Sequence, residues 1–348
     1  MGMVQYHSAV NPPAVPDCSV CIANYNGAAL LTECLESVLT QQGSHNIEVI
    51  VHDDASTDDS LALLKQRYPQ VDIIASQQNV GFCIGNNRMV ARARGKYVLL
   101  LNNDATLAPD AIQHLLGEAT KIDGQAILTL PQLDWENDTL VDRGCLLDPF
   151  CNPIPNLDPR RDEVAYVIGA CLWCSRDTWH ELGGFPDWMG SIGEDLYLCG
   201  VARLHGIPVR ALRSSYYRHR QGATFGGNRA DAGLHTSIRR RKLSEHNKTR
   251  ALMILTPTLL MWPLLFAHLI ALLIEGLILS LLRRNTTLLH EVYLPAFASP
   301  FREGGFLRAR RREIQATRTI SIAKWFSTVS WQLRKLTMLV RHGMPKIS

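Results

Sequence analysis

The chain has 348 residues, 46% apolar and 20% charged, enough apolar material for one large core or two modest ones, which excludes a disordered or collagenous protein. Its formal charge of +4 is unevenly spread: residues 1–238 hold 17 Lys and Arg against 27 Asp and Glu, net −10, whereas residues 239–348 hold 19 against 5, net +14. Nine cysteines, an odd number without regular spacing, argue against a disulfide framework and for a reducing compartment.

Residues 1–17 read as a tail with no basic stretch followed by an apolar one, so no secretory signal is readable and the catalytic part is expected in the cytosol. Residues 18–24 read as a short buried strand ending in the turn Tyr25-Asn26-Gly27, and Leu30 to Thr40 carries helical spacing. Ile47 to His52 is a β-branched run stopped by Asp53-Asp54, after which Ser56-Thr57-Asp58-Asp59 offers N-cap chemistry for a helix through Tyr68. Val71 to Ala75 reads as a third strand, Gly85 to Arg94 as a helix, and Lys96 to Leu101 as a fourth strand ending in Asn102-Asn103-Asp104. A further helix follows over Ala108 to Thr120, with Pro109 near its first turn. Such alternation implies an α/β fold with a mostly parallel sheet covered on both faces. Ligands of open sheets bind outside the carboxyl ends of the strands, which here are three polar clusters.

Pro131 to Pro159 reads as long loops, Val164 to Cys174 as a strand, and Ser175 to Leu182 as a helix closed by Gly183-Gly184. Cys171 and Cys174, a close cysteine pair within an apolar stretch, read as buried thiols. After Arg239-Arg240-Arg241-Lys242 comes an apolar run, Ala251 to Leu282, broken only by Pro257, Pro263, His268 and Glu275. A membrane-crossing helix needs about 20 apolar residues, so residues 246–285 fit one span or a re-entrant hairpin; a buried core helix is the alternative. Basic residues flank both ends, so the positive-inside rule does not choose an orientation. Residues 286–348, above all Arg308 to Arg341, have the composition of amphipathic helices on an anionic surface, with an ordinary solvated helix pair as the rival reading. The apolar neighbour favours lipid over nucleic acid as the partner of this basic region.

Acid clusters at adjacent strand ends repel one another unless a cation compensates them. Mg²⁺ or Mn²⁺ with a diphosphate is the natural compensation, because hard cations bind through one or two carboxylates plus substrate phosphates. Asp104 fits such a ligand, and also fits a helix cap. Glu194-Asp195 follows the glycine-rich approach Met189-Gly190-Ser191-Ile192-Gly193 and suits a general base, or simple compensation of a helix dipole. In Arg218-His219-Arg220-Gln221-Gly222-Ala223-Thr224, His219 could complete a metal shell while Arg and Thr hold phosphate oxygens, or could be a surface histidine. Neither a P-loop nor a dinucleotide fingerprint follows any strand.

As an ordered set, Val20 to Gly27, Val51 to Asp58, Asn79-Val80-Gly81-Phe82 with Asn86-Asn87, Leu101-Asn102-Asn103-Asp104 and Gly193-Glu194-Asp195 resemble the family 2 glycosyltransferases, particularly the bacterial rhamnosyltransferase-like branch. The similarity runs over residues 18–228, and the basic apolar segment beyond resembles that branch's membrane-associated C-terminus. The resemblance implies a Rossmann-like GT-A domain, residues 18–245, followed by an α-helical membrane-associated region. It further implies that Ala23 and Tyr25 line the nucleotide, that Asp54 hydrogen-bonds the base, and that Asp53, Asn79, Gly81, Asn87 and Asn103 complete the nucleotide-sugar pocket. Asp104 and His219 would hold the metal, Asp195 would be the base of an inverting transfer, and Glu194 would orient it or the acceptor. Two positions depart from the family pattern: Asn102 stands where an Asp-x-Asp motif has its first acid, and Ile84 and Met89 stand where smaller residues are usual. The expected reaction moves a sugar, with dTDP-rhamnose the donor the branch suggests, to a lipid-linked or cell-envelope glycan, on the cytoplasmic side of the inner membrane. Its rivals are a catalytically silent nucleotide- or glycan-binding subunit and a nucleotidyltransferase, the latter without use for a base near the acceptor.

Overall fold

The structure is a computed structural model that describes residues 3–122, 125–221, 235–344 and 346–347. It divides into two compact units, one formed by Met1–Gly144, Pro155–Leu198 and Ile207–Arg220, the other by Cys145–Ile154, Cys199–Gly206 and Gln221–Ser348.

In the first unit the strands β1 (Val4–His7), β2 (Cys18–Asn24), β3 (Ile47–Asp53), β4 (Asp72–Ser76) and β5 (Tyr97–Asn102) alternate with helices α1 (Ala28–Leu39), α2 (Ser60–Arg67) and α3 (Phe82–Arg92). β6 (Ala105–Leu107), α4 (Ala111–Lys121), β7 (Ile127–Thr129), β8 (Gln132–Asp134) and β9 (Leu140–Asp142) follow. The short strands β10 (Cys145–Leu147) and β11 (Pro153–Pro155), which but for Pro155 belong to the second unit, pair with each other. Then come β12 (Cys171–Ser175), α5 (Arg176–Leu182), α6 (Glu194–Leu204), β13 (Val209–Ala211) and β14 (Tyr217–His219).

The main sheet runs β1-β4-β3-β2-β5-β12-β7-β13. Its centre, β4-β3-β2-β5, is parallel, while β1 and β12 are antiparallel to their neighbours. Alternate side chains explain the two covered faces. Val20, Ile22, Val49 and Val51 pack with Leu31, Leu35, Leu64 and Ile112 of α1, α2 and α4. Successive strand residues point to opposite faces, so His52 lies on the other side, where the α3 residue Gly85 leaves room for it: a Cβ there would sit 3.1 Å from His52 Nδ1. A second sheet, β6-β14-β8-β9, carries the end of the site.

Three expectations change. Residues 4–7, expected as tail, are an edge strand paired with β4. The stretch 131–159 contains four short strands rather than loops alone. The strand expected over 164–174 is regular only at Cys171–Ser175, because Ile168 to Cys171 forms a turn, Cys171 N donating to Ile168 O at 3.1 Å.

The second unit is helical: α7 (Ile238–Leu255), α8 (Met261–Arg283), a π-helical turn (Leu289–Tyr293), α9 (Leu294–Arg302), α10 (Gly304–Ala316), α11 (Ile322–Phe326) and α12 (Arg334–His342). The apolar run is therefore two helices. Thr256 is extended ahead of Pro257, as the proline ring demands of its predecessor, so α7 continues through residue 246 and ends at Leu255. α7, α8 and α12 meet at a charged cluster. Lys335 Nζ lies 2.7 Å from Glu245 and 2.6 Å from Glu275, Arg241 also pairs with Glu275, and Lys248 Nζ reaches Glu245 at 3.2 Å and Asn152 Oδ1 at 2.6 Å. Burial alone would raise Glu245, but Lys248, Lys335 and Arg241 hold its carboxyl well below the usual carboxylate range.

Candidate active site

The polar residues at the ends of β2, β3 and β5 form one hydrogen-bonded layer. Asn24 is its centre: its amide donates to Asp53 Oδ2 at 3.0 Å and accepts from Asn103 Nδ2 at 2.7 Å. Gly27, which opens α1, is required beside this pair, since a Cβ there would lie 2.2 Å from Asn103 Nδ2 and 2.3 Å from Asn24 Oδ1. Asp53 closes its own turn, its Oδ1 accepting from Ser56 N at 3.1 Å. Asp54 reaches the other way. Its two carboxylate oxygens accept the N–H groups of Val80 and Gly81 at 2.7 and 2.8 Å, and so tie β3 to the start of α3. Gly81 has φ +88°, a conformation side chains rarely adopt, which explains a glycine there. Asn79 is exposed, Ala23 half-buried, and Tyr25 exposed at the rim of β2. Beneath Asp54, burial lowers the His52 pKa, with Asp54 opposing and Arg88 reinforcing the shift.

Asn87 binds a neighbouring loop. Its amide donates to Phe185 O at 2.7 Å and Asp187 Oδ1 at 2.9 Å, and accepts from Phe185 N at 3.0 Å. It thereby clamps the loop that leads to Glu194-Asp195. Cys83 N adds a bond to Gly190 O at 3.2 Å, and the Phe82 and Phe185 rings stack with centroids 5.9 Å apart.

Asp104 and His219, 115 positions apart, are brought together because β14 pairs antiparallel with β6, His219 opposite Ala105. His219 Nε2 lies 3.0 Å from Asp104 Oδ1 and 3.4 Å from Asn102 Nδ2, and both side chains are buried. His219 Nδ1 is buried with no hydrogen-bond partner among the described residues. No third His, Cys, Asp or Glu joins them in a metal-type cluster among the described residues. Arg218 is on the opposite strand face, bound to Asp138 at 2.5 and 3.0 Å, while Arg220 pairs with Glu33 and lies 4.0 Å over the Trp135 ring. Gly222, Ala223 and Thr224 lie outside the described residues.

Glu194 and Asp195 begin α6, Glu194 buried and Asp195 half-buried, so Asp195 is the more accessible acid. Its Oδ2 accepts from Gly169 N at 3.1 Å and its Oδ1 from Leu196 N at 2.7 Å. The next residue, Ala170, accepts from Asn102 N at 3.1 Å. Asp195 is thus connected to the Asn102-Asn103-Asp104 turn through two adjacent backbone groups. Ile192, two residues before Glu194, is a β-branched residue at φ +67°, a sparsely populated conformation of the kind that clusters at functional sites. Asn24 and Gly27 were read from the sequence only as members of the strand-end motif, without a role of their own, and Gly169 was not read at all, because it acts only through its N–H.

Residues 19–182 match the family model described as Glycosyl transferase family 2. The succinoglycan biosynthesis protein ExoO of Rhizobium meliloti (strain 1021) is 36% identical over 114 residues, 32% of this chain and 32% of its own length. Chondroitin synthase of Escherichia coli is 39% identical over 110 residues, 31% of this chain and 16% of its own. The matches thus span about a third of these relatives or less. Among solved structures, GalNAc-T7 with UDP, GalNAc and Mn²⁺ superposes with a TM-score of 0.55 at 15% identity, covering 69% of this chain and 48% of that one, a likeness of fold alone. The family match and the likeness of fold agree: residues 19–182 match glycosyltransferase family 2, and the chain has a GT-A fold.

Proposed function

We propose that the chain is an inverting, divalent-metal-dependent glycosyltransferase that moves a sugar from a nucleotide-sugar to a lipid-linked or cell-envelope glycan, on the cytoplasmic side of the inner membrane. One observation carries this reading: Asp104 and His219 meet at the end of β5, and Asp195 is tied to that same turn through Gly169 and Ala170.

The residues fit a hard divalent cation. A carboxylate oxygen of Asp104 and Nε2 of His219 face one another 3.0 Å apart in a buried setting, so a cation can take the place of the proton that they share. Two protein ligands with substrate phosphates completing the shell is the usual arrangement for Mg²⁺ or Mn²⁺. Asp104 and His219 would hold the ion; when bound, it supplies the positive charge that a departing diphosphate needs. Mn²⁺ in the GalNAc-T7 structure supports the same reading.

Asp195 is the base. As the acceptor oxygen bonds to the anomeric carbon, its proton passes to the Asp195 carboxylate, and the bond from that carbon to the diphosphate breaks to release the nucleoside diphosphate. The N–H groups of Gly169 and Leu196 fix both oxygens, so the carboxylate is oriented before the acceptor arrives. Glu194 beside it orients base or acceptor. Ala23, Tyr25, Asn79 and Asn103 line the nucleotide side, with Asp54 holding the Val80–Gly81 turn against it. A polysaccharide acceptor is supported by the likeness to a succinoglycan biosynthesis protein and a chondroitin synthase; dTDP-rhamnose follows from the branch resemblance, and a UDP-linked donor from the UDP in the GalNAc-T7 structure.

Membranes containing the protein should be incubated with a panel of dTDP- and UDP-sugars, Mn²⁺ or Mg²⁺ and lipid-linked acceptors. Release of nucleoside diphosphate that stops on chelation is the expected result. Donor binding without turnover in any combination would instead identify a silent binding subunit.

A further inference from the structure

The apolar helix α8 has its polarity inverted relative to a helix of a water-soluble unit. Every residue from Trp262 to Leu282 that is exposed is apolar, whereas its buried side carries His268, bound to Thr249 Oγ1 at 2.8 Å, and Glu275 turns toward Arg241 and Lys335. Trp262, Phe266, Ile270, Ile274, Leu277 and Leu281, spaced by three or four, form one stripe about 28 Å long at 1.5 Å per residue. Phe266 is 68% and Leu281 76% exposed, and mean hydropathy reaches 2.4.

We infer that α8 lies flat in the surface of an anionic bilayer, as an in-plane anchor, and does not cross it; this rests on the membrane placement proposed above. α7 and α9 pack along its other side, so a crossing would take α7 with it, and α7 exposes Arg239 and Lys242. Charged groups in hydrocarbon are strongly disfavoured. At the surface the same features are favourable. Arg283 and Arg284 are exposed at the end of the stripe, α12 exposes Leu336 and Val340 beside Arg341, and residues 239–348 carry net +14. Clustered cations beside an apolar face match anionic lipid in both chemistry and order. The clamp on Lys335 by Glu245 and Glu275 fixes α12 to this unit.

The test uses the full chain, whose nine native cysteines are buried, so a label goes to an introduced surface thiol. Trp262→Cys, Ile270→Cys and Ile278→Cys are labelled with a fluorophore, and depth is read with brominated lipids in phosphatidylglycerol vesicles. All three labels should sit at similar shallow depth, about 5–10 Å below the headgroups. A label at 270 near the bilayer centre, with 262 and 278 toward opposite faces, would establish a span and overturn the inference while leaving membrane placement intact. Absence of binding to any vesicle would overturn both. The double change Ile274→Glu with Leu277→Glu should weaken binding at least tenfold with thermal unfolding unchanged. If instead that change only converts a dimer to a monomer, the stripe is a contact between copies and the inference fails.

Discussion

Asn87 separates two roles that the sequence alone could not distinguish, that of a donor contact and that of a loop clamp. In Asn87→Ala three hydrogen bonds to Phe185 and Asp187 are lost, each worth about 1 kcal/mol net, so the Gly184-to-Ile192 loop loses up to about 3 kcal/mol of ordering, less where water replaces the amide. A loosened loop displaces Glu194 and Asp195, and a misplacement on the order of 1 Å costs about 100-fold in rate. Steady-state kinetics with the productive donor, alongside UDP or dTDP binding by calorimetry, reads the two roles apart. Turnover should fall by roughly 100-fold while donor KM and nucleotide affinity change less than about threefold. Asn87→Asp should not rescue it, because it keeps only the acceptor and sets a second carboxylate beside Asp187. A raised donor KM with unchanged turnover would refute the clamp and restore the nucleotide-sugar contact.

Three further expectations concern the metal pair, a buried acid and a tight turn. Asp104→Asn and His219→Ala should each raise the Mn²⁺ concentration needed for half-maximal turnover by tenfold or more, measured by metal titration of product release; equal requirements in both variants and the parent would exclude them as ligands. Burial raises Asp142 to about 7 against the Gly144 N–H and His219, which lower it. Because the protonated form is favoured in the fold, this acid's contribution is fully present below the unfolded carboxyl pKa near 4 and is lost as pH rises toward 7. Asp142→Asn should therefore raise the thermal midpoint at pH 8 relative to the parent, and by less at pH 4.5, in melts run with chelator. Gly27→Ala forces apart the Asn24–Asn103 pair, and overpacking of this kind costs about 1–3 kcal/mol; calorimetry should show weaker nucleotide binding, and unaltered affinity would show that the pair is not part of the pocket.

What could be read from the residues, and what could not, divides along a physical line. Apolar runs stopped by polar residues located β2, β3, β4 and β5 and their shared edge within a residue or two, because strand burial on two faces leaves continuous Val, Ile and Leu. β1 was missed because its Val-Gln-Tyr-His is an edge strand with two exposed side chains, which lacks that pattern. The meeting of Asp104 and His219 followed from family likeness; no local spacing encodes a pairing across 115 residues. Gly169 was invisible since its N–H, and not a side chain, holds Asp195. The bonds of Asn87 to the loop were not legible beside its expected nucleotide-sugar role, because an amide at a helix can face ligand or loop and only the tertiary path of residues 184–187 brings the loop to it. In the helical unit the apolar run read as one span or a re-entrant hairpin, and Pro257 within it marks the break between α7 and α8.

The most direct measurement is single-turnover sugar transfer by Asp195→Asn, compared with the parent at saturating donor and acceptor. Loss of a general base should slow the chemical step by about 10²–10⁴-fold while nucleotide-sugar affinity and thermal stability stay close to those of the parent. A rate unchanged within a few-fold, with the donor still bound, would contradict the assignment of Asp195 and with it the reading of this strand edge as an inverting transferase.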